Sequence, residues 1–356
     1  MLALALAGGC GQKKNAGDET KSTGSGSAVA STGSGAGGAG SSAADVGSGS
    51  AAAKPEAPKA DPKVLARGEY LVNILGCGSC HMGAGPQGPD PTKPFAGGLA
   101  IPEKFGTWRG PNITPHMGSG IGNWTEEQIV VAMREGVRPD GSKLLPMMPY
   151  LNYNRMTDDD AKSIAAYLKT VAPIDNVVAP NSDIKVPAIP APKPANAPDV
   201  VDDPMKHGEY LVTLMHCVAC HSPTTKEGAP DMSRPFAGGM EFELAFMGSG
   251  TLYGSNITSD ADTGIGKWSP ADVESAIKML KRPDGSLIQG PMQFYLAGWS
   301  KIEDNDLKAI ATFVKAIPAV KNKVPKSTFK PHGPPPGPPS GQGSAAAGSA
   351  AGSAAK

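Results

Sequence analysis

The feature that most constrains this chain of 356 residues is an internal repeat. The tetrapeptide Glu-Tyr-Leu-Val at 69–72 recurs at 209–212, and Cys77–His81 recurs as Cys217–His221, both 140 positions later. Further matches follow in the same order, and the last of them, Arg138–Ser142 with Arg282–Ser286, lies 144 positions apart. A period this long predicts two tandem copies of one domain, since solenoid repeats are only about 20–50 residues long.

Composition places the boundaries around these copies. The 46 glycines and 35 prolines approach the fraction typical of low-complexity chains, and part of this excess lies outside the repeats. A Gly/Ser/Ala tether with almost no large apolar side chain cannot offset its ordering entropy by burial. We therefore predict a signal-like segment at 1–10, a disordered tether at 11–61, domains at 62–172 and 202–320, a proline-rich linker at 173–201 that separates them, and a disordered tail at 321–356.

Helical patterns recur within each copy. Apolar residues follow an i, i+3, i+4, i+7 stripe on a last helix, at Ile164, Tyr167, Leu168 and Val171 and again at Ile310, Phe313, Val314 and Ile317. Thr125 with Gln128 and Thr157 with Asp160 are typical of capping boxes, and Ser269-Pro270 is typical of a helix start. No alternating strand pattern of useful length occurs, so the sequence predicts a mainly α fold.

Both cysteine clusters spell C-x-x-C-H, the attachment signature of c-type haem. Two thiols three residues apart, at Cys77 and Cys80, can reach the two vinyl groups on one porphyrin edge. The next residue, His81, then places its imidazole under the iron. Because Cys217, Cys220 and His221 repeat the pattern, we predict two covalently bound haems.

Other uses of these cysteines fit less well. A zinc site would have to join the two cysteine pairs, which lie much further apart in the chain than the roughly 15–20 residues that separate the pairs of a zinc ribbon. It would also leave both histidines unexplained. A thioredoxin-type redox disulfide needs a βαβ context that is absent. Structural disulfides suit an exported protein, but they do not require histidine at the next position.

A methionine-bearing turn follows in each copy. A thioether opposite the histidine raises the potential of a haem into the range of electron carriers. We predict Met148 and Met292 as the sixth ligands, with Met147 as the competitor in the first copy. Met133, Met156 and Met279 are expected to be core fillers. The remaining domain histidines, His116, His207 and His216, are not expected to bind iron, and His216 is expected at the surface or the haem edge.

Each copy resembles a class I cytochrome c domain, and the pair resembles a dihaem c-type cytochrome. The Cys and His motifs, Tyr70 and Tyr167 on the first and last helices, and the Met148 turn carry this resemblance. The string from Asn112 to Trp124 is similar to the haem domains of cytochrome subunits of periplasmic alcohol and gluconate dehydrogenases. That subgroup implies relay of electrons from a dehydrogenase or quinol pool to a terminal acceptor.

The segment Leu6-Ala7-Gly8-Gly9-Cys10 resembles a bacterial lipobox, which implies a lipidated Cys10 on the periplasmic side of a membrane. The alternatives are an incidental cysteine in a cleaved signal peptide, and a start codon further upstream. The expected partners are a dehydrogenase, a quinol-oxidising complex or a terminal oxidase. With 33 basic and 33 acidic residues, the chain offers no general phosphate-binding surface, so nucleic acid is not expected.

The sequence thus favours a non-catalytic electron carrier. The alternatives are a dihaem enzyme, either peroxidase-like or thiosulfate-oxidising, and the haem subunit of a dehydrogenase complex. A peroxidase needs an exchangeable sixth position, but both copies offer methionine there. A thiosulfate-oxidising enzyme of the known kind needs a cysteine ligand, and only Cys10 lies outside the two motifs.

Overall fold

Each repeat is mainly helical in the computed structural model, which describes residues 60–86, 88–103, 106–182, 184, 189–190, 193–194, 201–226, 228–243 and 247–332. The first repeat contains helices α1 (Pro62–Ile74), α2 (Cys77–Cys80), α3 (Glu126–Glu135), α4 (Tyr150–Tyr153) and α5 (Asp158–Leu168). The second contains α6 (Pro204–Leu214), α7 (Cys217–Cys220), α8 (Pro270–Lys278), a 3-10 helix (Pro291–Tyr295), α9 (Leu296–Trp299) and α10 (Asp304–Ala316). Cys10, the tether before residue 60 and the tail after residue 332 lie outside the described residues.

Short antiparallel pairs of strands occupy the loops between these helices. Their strands are β1 (Gly83–Gly85) with β2 (Gly88–Asp90), β3 (Ala100–Glu103) with β4 (Gly106–Arg109), β5 (Glu241–Phe242) with β7 (Leu252–Tyr253), and β6 (Gly248–Ser249) with β8 (Lys330–Pro331). Strands of two to four residues are too short for an alternating pattern to be recognised in the sequence. The predicted mainly α fold is confirmed.

The helices begin where the sequence places their caps. Thr125 and Gln128 form a complete capping box at α3, and Ser269 forms one with Asp272 at α8. Thr157 caps α5 by accepting a hydrogen bond from the backbone N–H of Asp160. The predicted box is incomplete there, because the Asp160 carboxylate is engaged by Arg67 at 2.8 Å instead.

A glycine sets the close crossing of the first and last helices in each repeat. A Cβ atom on Gly68 would lie 2.0 Å from the carbonyl oxygen of Ser163, and one on Gly208 would lie 2.0 Å from that of Ala309. Any side chain at these positions would therefore push α1 away from α5, or α6 away from α10. The predicted stripe on α10 is buried as expected, with Ile310 only 1% exposed.

The buried apolar residues of the two repeats form one continuous cluster that includes Leu71, Ile164, Leu211 and Ile310. Met133 and Met156 belong to this cluster, as predicted. The prediction for Met279 is wrong, because this residue ends α8 with its side chain 58% exposed. No helix in the described part of the chain is both long and apolar enough to cross a membrane.

An extended strap follows the last helix of each repeat and packs back on its own domain. Asn176 donates its side-chain amide to the carbonyls of Ala96 and Gly97. Asn322 does the same to Ala237 and Gly238. The start of the proline-rich linker is therefore a packed part of the first domain. The prediction of disorder from residue 321 is wrong as far as residue 332, because β8 and the Asn322 contacts hold this segment.

The two repeats are in direct contact and lie in one compact unit. The indole N–H of Trp299 donates to the carbonyl of Ile74 at 3.0 Å. In the opposite direction, Asn152 donates to the carbonyl of Thr213 at 3.1 Å. The proline content predicts a linker that holds the domains apart, but it does not do so. The ends of α1 and α6 each contact a short helix of the other repeat.

Candidate haem sites

Each C-x-x-C-H motif folds into a single helical turn directly after the first helix of its domain. The chain reverses at a residue in the left-handed region, Gly76 at φ 70° before Cys77 and His216 at φ 45° before Cys217. Glycine adopts this conformation readily, whereas a non-glycine residue there is strained. Both cysteines of a motif thus lie on α2 or α7, and the histidine follows at once.

The ring orientation of both predicted iron-binding histidines is fixed by a backbone carbonyl. His81 Nδ1 lies 2.7 Å from the carbonyl oxygen of Pro111, and His221 Nδ1 lies 2.8 Å from that of Ser255. Because a carbonyl can only accept, Nδ1 carries the proton and Nε2 keeps its lone pair. Burial lowers the pKa of both histidines below its ordinary value. Neutral imidazoles with a free Nε2 are the form that binds a metal.

The cysteines of the first motif are half-buried free thiols. Cys77 and Cys80 are not joined in a disulfide. Burial raises the pKa of Cys77 to about 12 and that of Cys80 to about 11. Redox-active cysteines need a lowered pKa, so the thioredoxin-type alternative is not supported. Within the described ranges, no three His, Cys, Asp or Glu side chains converge to hold a metal ion.

A cavity of about 900 Å³ lies beside the second motif. Cys217, Cys220 and His221 line it together with Met292 and Trp268. Its volume falls within the roughly 300–1,000 Å³ of sites that enclose small molecules. The structure therefore brings the predicted sixth ligand, Met292, and the C-x-x-C-H residues to the same cavity.

The turn of the first repeat that contains Met148 corresponds, in the order of the chain, to the turn of the second repeat that contains Met292. Met148 packs against the hydrophobic cluster, as Cys77 and Trp124 do. Its backbone N–H donates to Leu145 at 3.1 Å, and its carbonyl accepts from Tyr150 at 2.8 Å. These contacts anchor the turn just before α4.

Sequence reasoning missed the role of the Pro-Phe-Ala-Gly-Gly segments. The backbone N–H of Gly97 donates to the carbonyl of His81 at 2.8 Å, and that of Gly238 donates to His221 at 2.6 Å. Phe95 and Phe236 both have φ 62°, a strained value for a bulky residue. Their recurrence in both copies is the signal that could have identified these segments as supports of the two histidines.

Sequence reasoning also missed a lysine at the end of the last helix of each repeat. Lys169 Nζ donates to the carbonyls of Gly122 and Trp124 at 2.8 and 2.9 Å. Lys315 donates equivalently to Ile265 and Gly266. These lysines fix the loop before Trp124 or Trp268, and the repeat alignment of their two positions carries the only sequence signal.

The other histidines lie away from the predicted ligand positions, with one exception. His116 contacts Ser119 at 2.8 Å, and buried His207 contacts Asp306 at 2.9 Å. His216 lines the cavity beside Cys217, which favours the haem-edge prediction over the surface one. Burial lowers the pKa of His216 to about 4, so its ring is neutral near pH 7.

The residues present fit haem c. The second site combines two neighbouring cysteines, a neutral histidine held by a carbonyl and a methionine around one cavity. The first site repeats the cysteine and histidine geometry. Cys77 and Cys80, and Cys217 and Cys220, would hold the group covalently, and His81 and His221 would each supply Nε2.

Comparison with known proteins agrees with this geometry. The family model "Cytochrome c" matches residues 65–172. A fructose dehydrogenase cytochrome subunit of Gluconobacter japonicus is 33% identical over 288 residues, which cover 75% of this chain and 55% of that protein. The cytochrome c subunit of a quinone-type alcohol dehydrogenase of Gluconobacter oxydans is 33% identical over 286 residues, covering 74% of this chain and 57% of that protein. The chain thus spans a little over half the length of these two relatives.

A relative of similar size gives fuller coverage. A "Diheme cytochrome c-type" protein of Cereibacter sphaeroides is 31% identical over 284 residues, which cover 74% of this chain and 91% of that protein. Both C-x-x-C-H motifs of this chain fall within one compact, mainly helical unit. The chain therefore belongs to the cytochrome c family and binds haem c through its C-x-x-C motifs.

Proposed function

We propose that the protein is a dihaem electron carrier with one His/Met-ligated haem in each domain. The observation that carries the proposal is the repetition of one site. In both domains a helical turn presents two cysteines, and the following histidine is held through Nδ1 by a backbone carbonyl. When bound, haem c supplies reversible one-electron chemistry at its iron.

The chain's own residues prepare each site for that chemistry. Burial favours the neutral form of His81 and His221, and the carbonyls of Pro111 and Ser255 engage Nδ1, which would leave Nε2 free to bind the iron. Met148 and Met292 are the proposed sixth ligands, and Met292 lines the cavity with His221. Occupying both axial positions with protein side chains leaves no open site for a substrate, which supports transfer of electrons over peroxidase or thiosulfate chemistry.

Haem content and ligation test this proposal directly. We expect two covalent haems per chain by the pyridine haemochrome assay and a low-spin ferric spectrum with a near-infrared methionine-to-iron band. The double variants C77S/C80S and C217S/C220S should each retain one haem, and each serves as the control for the other. A substantial high-spin ferric fraction, or rapid turnover of hydrogen peroxide, would overturn the carrier assignment.

We further propose that the electron donor is a dehydrogenase. The relatives of the chain include cytochrome subunits of fructose, alcohol and gluconate dehydrogenases and a subunit of a nicotinate dehydrogenase. A quinone-type alcohol dehydrogenase stripped of its own cytochrome subunit provides the test. With ethanol present, it should reduce the ferric protein in stopped-flow measurements, whereas horse-heart cytochrome c should react more slowly. Equal rates for the two acceptors would contradict a specific partnership.

Lipidation of Cys10 completes the proposal and would tether the carrier to the periplasmic side of a membrane. Its support is the lipobox-like segment at Leu6–Cys10. Mass spectrometry of the protein expressed in a Gram-negative host should find a diacylglyceryl group on Cys10, and the protein should fractionate with membranes. The C10S variant should be released by osmotic shock. Membrane association of C10S at the level of the natural sequence would contradict the anchor.

A further inference from the structure

The two haem-attachment turns are joined by an aromatic side chain of the second domain. The ring of Tyr295 lies directly over Gly76, where a Cβ atom would come within 2.3 Å of its Cδ1 and Cε1 atoms. One turn further along, the hydroxyl of Ser79 donates to the carbonyl of Phe294 at 3.0 Å. The end of the 3-10 helix of the second domain is thus seated on the α2 turn of the first.

The same ring is part of the second haem site. Tyr295 lines the cavity beside Cys217 and His221. Its ring stacks on Trp299 with centroids 5.0 Å apart, and it meets His216 edge to face at 5.8 Å. Tyr295 therefore contacts the residue that precedes the cysteine motif in both domains, Gly76 in one and His216 in the other.

The electrostatic surroundings of Tyr295 agree with this position. Burial raises its pKa well above the ordinary value, and the thiols of all four motif cysteines add to the rise. The thiol of Cys220 likewise raises the pKa of Cys80, after burial. The two attachment turns therefore face each other around Tyr295, whose phenol stays neutral over the physiological pH range.

The sequence shows why only the second repeat supplies such a residue. Between the ligand methionine and the following short helix, the first repeat has only Pro149, whereas the second has Gln293, Phe294 and Tyr295. The second repeat thus has two more residues than the first between the methionine and the short helix, and its turn forms the 3-10 helix. Gln293 secures that helix by accepting from the backbone N–H of Gly290 at 3.2 Å.

We propose that Tyr295 is the positioning residue that couples the two haem sites for electron transfer within the molecule. This inference rests on the proposed function. The ring fills the space between the α2 and α7 turns, so electrons cross packed atoms there and the two turns keep a fixed separation. Tunnelling is faster through packed atoms than across a gap, and even a 1 Å misplacement of reacting groups can cost about a hundredfold in rate.

Three variants isolate this role. Y295L removes the ring, Y295F retains it without the hydroxyl, and Y253L removes a tyrosine that lines the same cavity. S79A offers a milder change, because it removes only the hydrogen bond to Phe294. The second motif already carries Ala219 at the position of Ser79, so alanine is compatible with haem attachment.

The measurement is the rate of electron equilibration between the haems after one is reduced by pulse radiolysis. Hydrogen exchange of the α2 amides provides a second readout that does not depend on redox activity. We expect Y295L to slow equilibration by about tenfold, on the scale of a small displacement of reacting groups, and to speed exchange in α2. S79A should have a smaller effect in the same direction, and Y295F should behave like the natural protein. Y253L also removes a ring from the cavity lining, and it should slow equilibration less than Y295L does.

The outcomes separate this inference from the proposed function. If the natural protein carries fewer than two haems, the proposed function fails. If it carries two haems and Y295L equilibrates at the natural rate, the coupling role of Tyr295 is wrong and the carrier assignment stands. Slowing in Y253L equal to that in Y295L would also overturn the inference, since it would reflect general damage to the second site. If Y295L does not take up haem, S79A provides the test. Electron equilibration and α2 hydrogen exchange at the rates of the natural protein would then overturn the inference.

Discussion

The phenol of Tyr70, in the first domain, donates a 2.7 Å hydrogen bond to the carboxylate of Asp306 in the second. The reverse pair is also present, because Tyr210 donates to Asp160 at 2.7 Å. Each phenol oxygen also accepts a backbone N–H of the other domain at 3.2 Å, from Glu303 or from Thr157. The repeats therefore meet as two subunits of a symmetric dimer do, each using the same surface.

These reciprocal bonds should hold the domains together. Replacing Tyr70 or Tyr210 by phenylalanine removes one hydrogen bond from a partly buried carboxylate of the opposite domain, and it leaves a backbone N–H of that domain without its phenol acceptor. We expect each change to lower the free energy of unfolding by about 1–3 kcal/mol, the usual effect of leaving buried polar groups unsatisfied. Thermal unfolding followed by circular dichroism measures this. In the part of the chain that is described, the Tyr167 hydroxyl makes no hydrogen bond, so Y167F is the control and should change stability by less than about 0.5 kcal/mol.

The close helix crossing at Gly68 gives a second prediction. The G68A variant would place a Cβ atom 2.0 Å from the Ser163 carbonyl, so α1 must move away from α5. We expect a loss of about 1–3 kcal/mol or more in urea unfolding, as for other overpacked cores. G78A is the control. A Cβ there meets no atom closer than 3.6 Å, and the second repeat carries Val218 at this position. Equal stability of the two variants would contradict the packing argument.

The proposed methionine ligands can be separated by single substitutions. M148L and M292L should each remove half of the near-infrared methionine-to-iron band and lower the midpoint potential of one haem, because the thioether favours the ferrous state. M147L is the control that distinguishes the two neighbouring methionines of the first turn. If M147L removes half of the band and M148L leaves it intact, the assignment in the first domain shifts by one residue.

His216 gives a prediction about pH. Burial lowers its pKa in the folded protein from the ordinary 6.5 to about 4. Between these two values the unfolded chain binds more protons than the folded one, so stability falls as the pH decreases from about 6.5 towards 4. The H216G variant copies the residue of the first repeat, Gly76, and should show a shallower loss of stability over this window. The measurement is urea unfolding at several pH values, and parallel profiles for the two proteins would show that His216 does not titrate as expected.

Much of the architecture was readable from local patterns. The repeat, the two C-x-x-C-H turns and the helix caps at Thr125 and Ser269 involve residues a few positions apart or an exact recurrence of letters. Such features depend on short-range geometry, so they can be recognised from the sequence. The Asp160 carboxylate shows the limit of this reasoning, since a local pattern predicts a capping box but a distant arginine, Arg67, takes the side chain.

Proline content misled in a physically informative way. It predicts a linker that separates the domains after α5 and a disordered tail that begins at residue 321. Residues near Asn176 and Asn322 do lie outside any helix or strand, but they pack on their own domains, because the side-chain amides of these asparagines bind carbonyls about 80 residues earlier in the chain. Met279 is the opposite case, since its apolar side chain suggests burial but the end of α8 leaves it exposed.

The sequence by itself determined that this protein has two homologous, mainly helical repeats, each with a C-x-x-C-H motif. The tertiary structure alone decided that these domains meet face to face, with Tyr70 bonded to Asp306 and Tyr295 seated between the two attachment turns. Contacts between residues more than 200 positions apart leave no periodicity or spacing in the chain. They form only when both repeats are folded and packed against each other.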